Sequence, residues 1–236
     1  MLVRDIEKAL LHSEQQGYGF GPMSLSKGAL VHLTRRMENG EGGEPLHVLE
    51  LGGGQSTLFW RSLLALELLA VKVTTLEHQP TWAGELQTRV EGQPIRVVRQ
   101  PLKQIGDEDW ERLFADPDQA AGLWERIGGE VPESQYGHYT IRNTFYGDVA
   151  SMMPAPQSID AMIVDGPHGN GRSLAYPLFA PALKTGALVL IDDFDHYPFL
   201  ADLGRIFRYE ELYREIIGDK HWVLARVAER KPTPGV

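Results

Sequence analysis

The chain has 236 residues, 42% of them hydrophobic and 23% charged, with a formal net charge of −9 and no cysteine. That length suits one large domain burying roughly 70–75% of its unfolded surface, and the composition is that of an ordinary globular protein. The acidic balance argues against general affinity for nucleic acid or anionic membranes; the lack of cysteine excludes disulfides and thiolate zinc sites and fits a reducing, cytoplasmic setting.

Residues 2–15 mix charged and apolar side chains at helical spacing without an uninterrupted apolar core, so they predict a helix and no signal peptide. The glycine-rich "GYGFGPMSLSKGALVHL" follows, with a second helix starting near Ser24 or Ser26, and the polar "ENGEGGEP" leads into the body of the chain. Residues 1–45 thus read as an N-terminal helical extension of a single domain, 1–236. Five short β-rich runs come next: 47–51, 72–78, 95–100, 160–166 and 187–193. Each is nearly continuous in apolar residues, as in strands covered on both faces of a parallel sheet. Helical patterns at 56–70, 80–90 and about 174–184 separate them. The most apolar of these carries Arg61 and Glu67 and is too short to span a bilayer. Alternation of this kind predicts right-handed βαβ units and a Rossmann-like, doubly wound α/β sheet, here seven-stranded and mostly parallel. Two β-capable runs flanking Gly218-Asp219-Lys220 predict a hairpin and an antiparallel C-terminal strand.

Residues 103–158 break the alternation. "DEDWERLFADPDQAAGLWERIGG" reads as two helices, and "ESQYGHYTIRNTFYGDVASMMP" is rich in tyrosine and glycine. An insertion this long is either a lid or substrate wall, with Tyr136, Tyr139 and Tyr146 as candidates to line it, or a structural pair of helices on the outside. Trp60, Trp82 and Trp110 read as core or edge packing.

Two loops carry the chemistry. "VLELGGGQST" turns from a strand into a helix. Gly52, Gly53 and Gly54 allow tight turning and close approach of a ligand, and Ser56 or Thr57 can cap the helix. Glu77, at the end of the next strand, is placed to accept the ribose hydroxyls of a nucleoside. A dinucleotide fingerprint would need a third glycine where Thr57 stands, and Glu50 suits a ligand bearing positive charge better than a pyrophosphate. The second loop, "AMIVDGPHGNGR", ends a core strand at Asp165 and presents His168 three residues later; "IDDFDH" ends the following strand at Asp192 and Asp193. In an open α/β sheet, ligands gather beyond the carboxyl ends of the strands, so these tips should share one crevice. Three carboxylates there need an offset: protonation, a basic neighbour such as Arg172, or a cation. For Arg172 itself, solvation at a helix start is the simpler reading.

"VLELGGGQST" with "TTLEHQPTW" resembles motifs I and II of class I S-adenosylmethionine (SAM) dependent methyltransferases, over about residues 17–228. "GYGFGPMSLSKGAL" and "VDGPHG" resemble one bacterial branch of that class. The resemblance implies SAM as cofactor, with Gly52 and Gly54 shaping the methionine side, Glu50 near the ligand's amino group, Glu77 on the ribose, and His78 and Leu102 flanking the adenine. Asp165 with Asp192-Asp193 resembles the acidic set that holds Mg²⁺ or another divalent cation in metal-dependent O-methyltransferases, and D-x-x-H resembles relatives in which the histidine is the base. On that resemblance the chain is expected to methylate a small molecule, on a hydroxyl oxygen, with His168 as base and Asp165 beside it. The alternatives are a non-catalytic SAM-binding or interaction protein and a nicotinamide-dependent oxidoreductase. A homo-oligomer is compatible with the sequence, which has no legible code for acceptor or assembly.

Overall fold

A computed structural model describes residues 2–37, 43–137 and 141–232. Most of the "ENGEGGEP" connection and Tyr139 lie outside the described residues. Two helices come first, α1 (Val3–Gln16) and α2 (Lys27–Arg36), the second capped by the Ser26 side chain accepting from the Gly28 N–H. Then β1 (Leu46–Leu51), α3 (Gln55–Ala65), β2 (Val71–Glu77), α4 (Pro80–Arg89) and β3 (Ile95–Arg99) alternate as the apolar runs predicted.

The 103–158 segment holds β4 (Leu102–Gln104), α5 (Asp107–Ala115), α6 (Ala120–Trp124), the two-residue β5 (Gly129–Glu130) and β6 (Thr144–Tyr146). Its strands form a second, three-stranded sheet in the order β5-β4-β6, so the insertion has a sheet of its own as well as the two expected helices. The main sheet resumes with β7 (Ile159–Val164). A 3₁₀ segment (Asn170–Leu174) and the short α7 (Ala175–Phe179) lead to β8 (Leu183–Asp192), and α8 (Phe199–Ile206) leads to the hairpin of β9 (Phe207–Ile217) and β10 (Lys220–Arg230). The helix expected over 174–184 stops at Phe179, because Pro181 lacks the N–H that another turn needs. Strand β8 accordingly starts four residues earlier than its apolar run suggested.

The main sheet has seven strands in the order β3-β2-β1-β7-β8-β10-β9. The first five are parallel; β10 runs antiparallel to β8, and β9 to β10. This is the doubly wound, Rossmann-like α/β fold with the one antiparallel strand expected near the C-terminus: β10 is reversed, and β9, antiparallel to β10, returns to the direction of the other strands. Alternate residues feed two cores. Val48, Ala161 and Ile163 pack under α1 to α4 with Phe59, Trp60 and Leu86, while Leu49, Leu51, Met162 and Val164 pack under the insertion, α7 and α8. Burial on both faces explains why these strands read as unbroken apolar runs. The N-terminal helices are integral to the first core: Ile6, Ala9 and Leu10 are buried in it, and His12 Nδ1 meets Ser62 Oγ at 3.0 Å. Among the described residues, no helix is long and apolar enough to cross a membrane.

Candidate functional site

Strand order reverses between β1 and β7, so the loops leaving these two strands diverge and open a crevice at their carboxyl ends. A cavity of about 730 Å³ lies there. Its floor requires glycine. Gly52 sits at φ +88°, in the left-handed region, and an added Cβ would lie 3.0 Å from the Gly166 nitrogen. A Cβ on Gly166 would lie 2.9 Å from both the Gly52 Cα and the Tyr146 hydroxyl. The tips of β1 and β7 touch backbone to backbone, which brings Asp165 beside the glycine loop.

Glu77 holds that loop. Its carboxylate accepts from the backbone N–H groups of Gly53 (3.0 Å), His78 (2.8 Å) and Gln79 (2.8 Å). Burial pushes its pKa up, and those three donors pull it back by stabilising the anion. His78 Nδ1 lies 3.2 Å from Glu77 Oε1, but burial lowers the imidazole to about 4, so at neutral pH this is a contact of a neutral ring and not an ion pair. Trp82 donates from Nε1 to the Gly53 carbonyl at 2.8 Å and lines the cavity with Gly52, Gly53, Glu77 and His78. Its sequence reading as packing missed this wall position.

Glu50 lies outside the cavity wall. It is fully buried and accepts from Thr57 (2.6 Å) and Thr75 (2.8 Å), with Ser56 beside it. Thr57 Oγ1 in turn accepts from the Gly54 N–H, so Glu50 braces the glycine loop from inside. Burial raises Glu50 to about 7 against those hydroxyl bonds. The residue preceding α3 is Gly54, not Ser56 or Thr57; both lie inside the helix and are buried, because their hydroxyls turn inward to this carboxyl group. Leu102, expected to flank the adenine, does not line the cavity. It is core, and its backbone N–H donates to the hydroxyl of Tyr136 (3.0 Å), the ring that does reach the cavity and meets His78 edge-on at 5.4 Å between centroids. Tyr146 is buried beneath the floor.

The same cavity is lined by Asp165, His168, Asp192 and Asp193, so strand ends nearly thirty residues apart do converge. The Asp165 and Asp192 carboxyl groups approach within hydrogen-bonding reach, which favours a protonated Asp192 as donor to Asp165. Burial and the charges of Asp165 and Asp193 raise Asp192 to about 8; burial raises Asp165 as well, opposed by Arg172 and by the bond from Asp192. His168 is lowered, first by burial and then by the charge of Arg172, which favours a neutral imidazole able to accept a proton. Arg172 is not the solvated side chain expected of it. It is 6% exposed, donates from Nε to the Pro167 carbonyl (2.9 Å) and from Nη1 to the Asp192 carbonyl (3.3 Å), and lies 3.6 Å from Asp193 Oδ2. The acids do not fit a metal centre: Asp192 favours a proton, a guanidinium neutralises Asp193, and among the described residues no three His, Cys, Asp or Glu side chains are grouped so as to hold an ion. The metal role expected for Asp165, Asp192 and Asp193 therefore has no geometric support.

The mouth is framed by segments that carried no sequence signal for a site. Pro22 and Met23 of the N-terminal loop, and Asp219 and Lys220 at the hairpin tip, line it. Lys220 Nζ donates to the carbonyls of Gly21 (3.2 Å), Pro22 (2.7 Å) and Ser24 (2.6 Å). Gln55 Oε1 accepts from the Tyr18 and Gly19 N–H groups, so the loop is tied both to the start of α3 and to the hairpin.

Comparison with known proteins agrees with this geometry. A family described as "Methyltransferase domain" matches residues 49–194, from the first strand through the acidic tip of β8. Solved structures with similar folds include the precorrin-6y C5,15-methyltransferase of Geobacter metallireducens (11% identity, 92% of this chain and 96% of that one, TM-score 0.49) and the ribosomal protein L11 methylase of Lactobacillus delbrueckii subsp. bulgaricus (13%, 89% and 81%, 0.47). Another is the 1,6-didemethyltoxoflavin-N1-methyltransferase of Burkholderia thailandensis, solved with S-adenosylhomocysteine bound (14%, 89% and 79%, 0.43). No curated protein sequence matches. With the family match running across both loops that build the cavity and over more than half of the chain, the chain belongs to the methyltransferase-domain family.

Proposed function

We propose that this chain methylates a hydroxyl oxygen of a small-molecule acceptor, with His168 as the base. The observation that carries the reading is that His168 and the Asp165–Asp192 pair line the same cavity as Glu77 and the glycine loop. A volume of about 730 Å³ is in the usual range for a cofactor with a small partner, roughly 300–1,000 Å³.

Bound SAM supplies an electrophilic methyl group on a sulfonium. The glycine loop and the Glu77 carboxylate would hold its nucleoside, and Trp82, His78 and Tyr136 would form apolar and aromatic walls around it. The chain's task is then alignment and deprotonation. The acceptor oxygen forms its new bond to the methyl carbon as the carbon–sulfur bond breaks, with the electron pair leaving on the thioether of S-adenosylhomocysteine. The hydroxyl proton passes to the neutral imidazole of His168. No metal enters this scheme.

Calorimetry with S-adenosylhomocysteine tests the cofactor site: a folded protein giving no heat would remove it. Screening hydroxylated, amine and carboxylate acceptors for methyl transfer tests the rest. Hydroxyl acceptors should turn over with a rate unaffected by EDTA, and His168→Asn should slow them by about 10²–10⁴-fold while leaving S-adenosylhomocysteine affinity within a few fold. Transfer only to amines would overturn O-methylation, and an undiminished rate in His168→Asn would remove the base.

A further inference from the structure

The short 3₁₀ segment after the His168 loop is forced into one place. A Cβ on Gly171 would collide with the backbone of Thr144 in β6, so the segment lies hard against the insertion's small sheet. The next residue, Arg172, is directed inward. Its guanidinium joins two strand tips: Nε donates to the carbonyl of Pro167, between Asp165 and His168, and Nη1 donates to the carbonyl of Asp192 and approaches the Asp193 carboxylate. The other basic side chain lining the cavity, Lys220, has its ammonium group engaged by three carbonyls of the N-terminal loop. Arg172 is therefore the cation in direct contact with the β7 and β8 tips, while Lys220, held by the N-terminal loop, acts on Asp165 only through its more distant charge.

We propose that Arg172 is a positioning residue that takes the place of a divalent metal, clamping the β7 and β8 tips into one wall so that the transfer site works without a bound ion. The proposal rests on the reading of this cavity as the methyl-transfer site. A guanidinium can do this where an ammonium cannot, because its planar fork reaches two carbonyls and a carboxylate at once. A fixed internal cation also needs no open coordination position. Removing it should leave Asp193 and the Asp165–Asp192 pair without their contacting counter-charge and release the two tips, so that oxygens not grouped as ligands in the clamped arrangement can gather round a hard divalent ion.

The test is calorimetric titration of the full-length protein with MgCl₂ and MnCl₂ at neutral pH, alongside melting curves with the same salts or EDTA. Wild type should give no specific heat, and its melting midpoint should not respond to either. Arg172→Met should melt lower, gain saturable binding of the ion, and recover several degrees at concentrations well above the new Kd. Adding Asp192→Asn should abolish that gain, and Arg172→Lys should recover less than half of the lost stability. A merely structural arginine would leave ion binding unchanged. Saturable binding to wild type that Asp192→Asn removes would overturn the proposal, as would a folded Arg172→Met indifferent to both ions. Should Arg172→Met not fold, the wild-type titration decides alone: silence supports the proposal and site-specific binding overturns it. S-adenosylhomocysteine titrated into the same wild-type sample separates the two readings, since its failure removes the methyl-transfer site whatever the ions do.

Discussion

Glu77 braces the loop backbone and, in the proposed reading, would also hold the ligand. Two oxygens offer about four acceptor directions, and three are used by the N–H groups of Gly53, His78 and Gln79. Glu77→Gln would turn one oxygen into a donor facing donors. The expected result is a loss of about 1–3 kcal/mol in stability and at least tenfold weaker S-adenosylhomocysteine binding, read by melting and calorimetry. Unchanged affinity in the folded variant would take Glu77 out of the site. The residue stood out in the sequence as a carboxylate ending the second strand beside the glycine loop, but its three bonds to backbone N–H groups were not legible there. Glu50 was legible as an unusual acid, but its orientation was not: only the placement of Thr57 and Thr75 shows that it faces the loop's interior.

Between elements, the contact of Gly52 with Gly166 decides whether the β1 and β7 tips meet. Gly166→Ala should destabilise by about 1–3 kcal/mol through overpacking and weaken cofactor binding by pushing the Asp165 loop from the glycine loop. Gly129→Ala is the control, since a Cβ there meets nothing within 4 Å. Equal melting midpoints for the two variants would show that the tips have room to separate. The strands themselves needed no tertiary information to be found, because burial on both faces writes a continuous apolar run into each. The insertion's small sheet was hidden for the converse reason: β4, β5 and β6 are two or three residues long, too short to display a period. Lys220 gave no signal either, as a lysine in a hairpin turn usually means only solvation.

For the whole molecule, buried acids set the pH response. Glu50 and Asp192 rise to about 7 and about 8 from ordinary values of 4.5 and 3.8. The folded state therefore holds protons that the unfolded chain releases, and their stabilising contribution, complete below those ordinary values, is lost as pH rises through 7 and 8. His78, lowered from 6.5 to about 4, acts in the opposite sense, its contribution being lost as pH falls from 6.5 toward 4. Above about pH 6.5 the acids act in the same sense as His221, which its bond to Asp195 raises, so the melting midpoint should fall from pH 6.5 to 8.5, and less steeply in Glu50→Gln. A flat profile in wild type would contradict the burial of these groups. What the amino-acid sequence determined by itself was local and periodic: the order of strands and helices, the two glycine-bearing loops, and the residue types able to bind a nucleoside or move a proton. What only the tertiary structure decided was which polar groups share a space and what balances their charge. Arg172, Trp82, Lys220 and Tyr136 entered the site, while Glu50 and Leu102 moved behind its walls. The physical reason is that periodicity records burial one element at a time, whereas hydrogen bonding and charge compensation depend on distances between elements far apart in the chain.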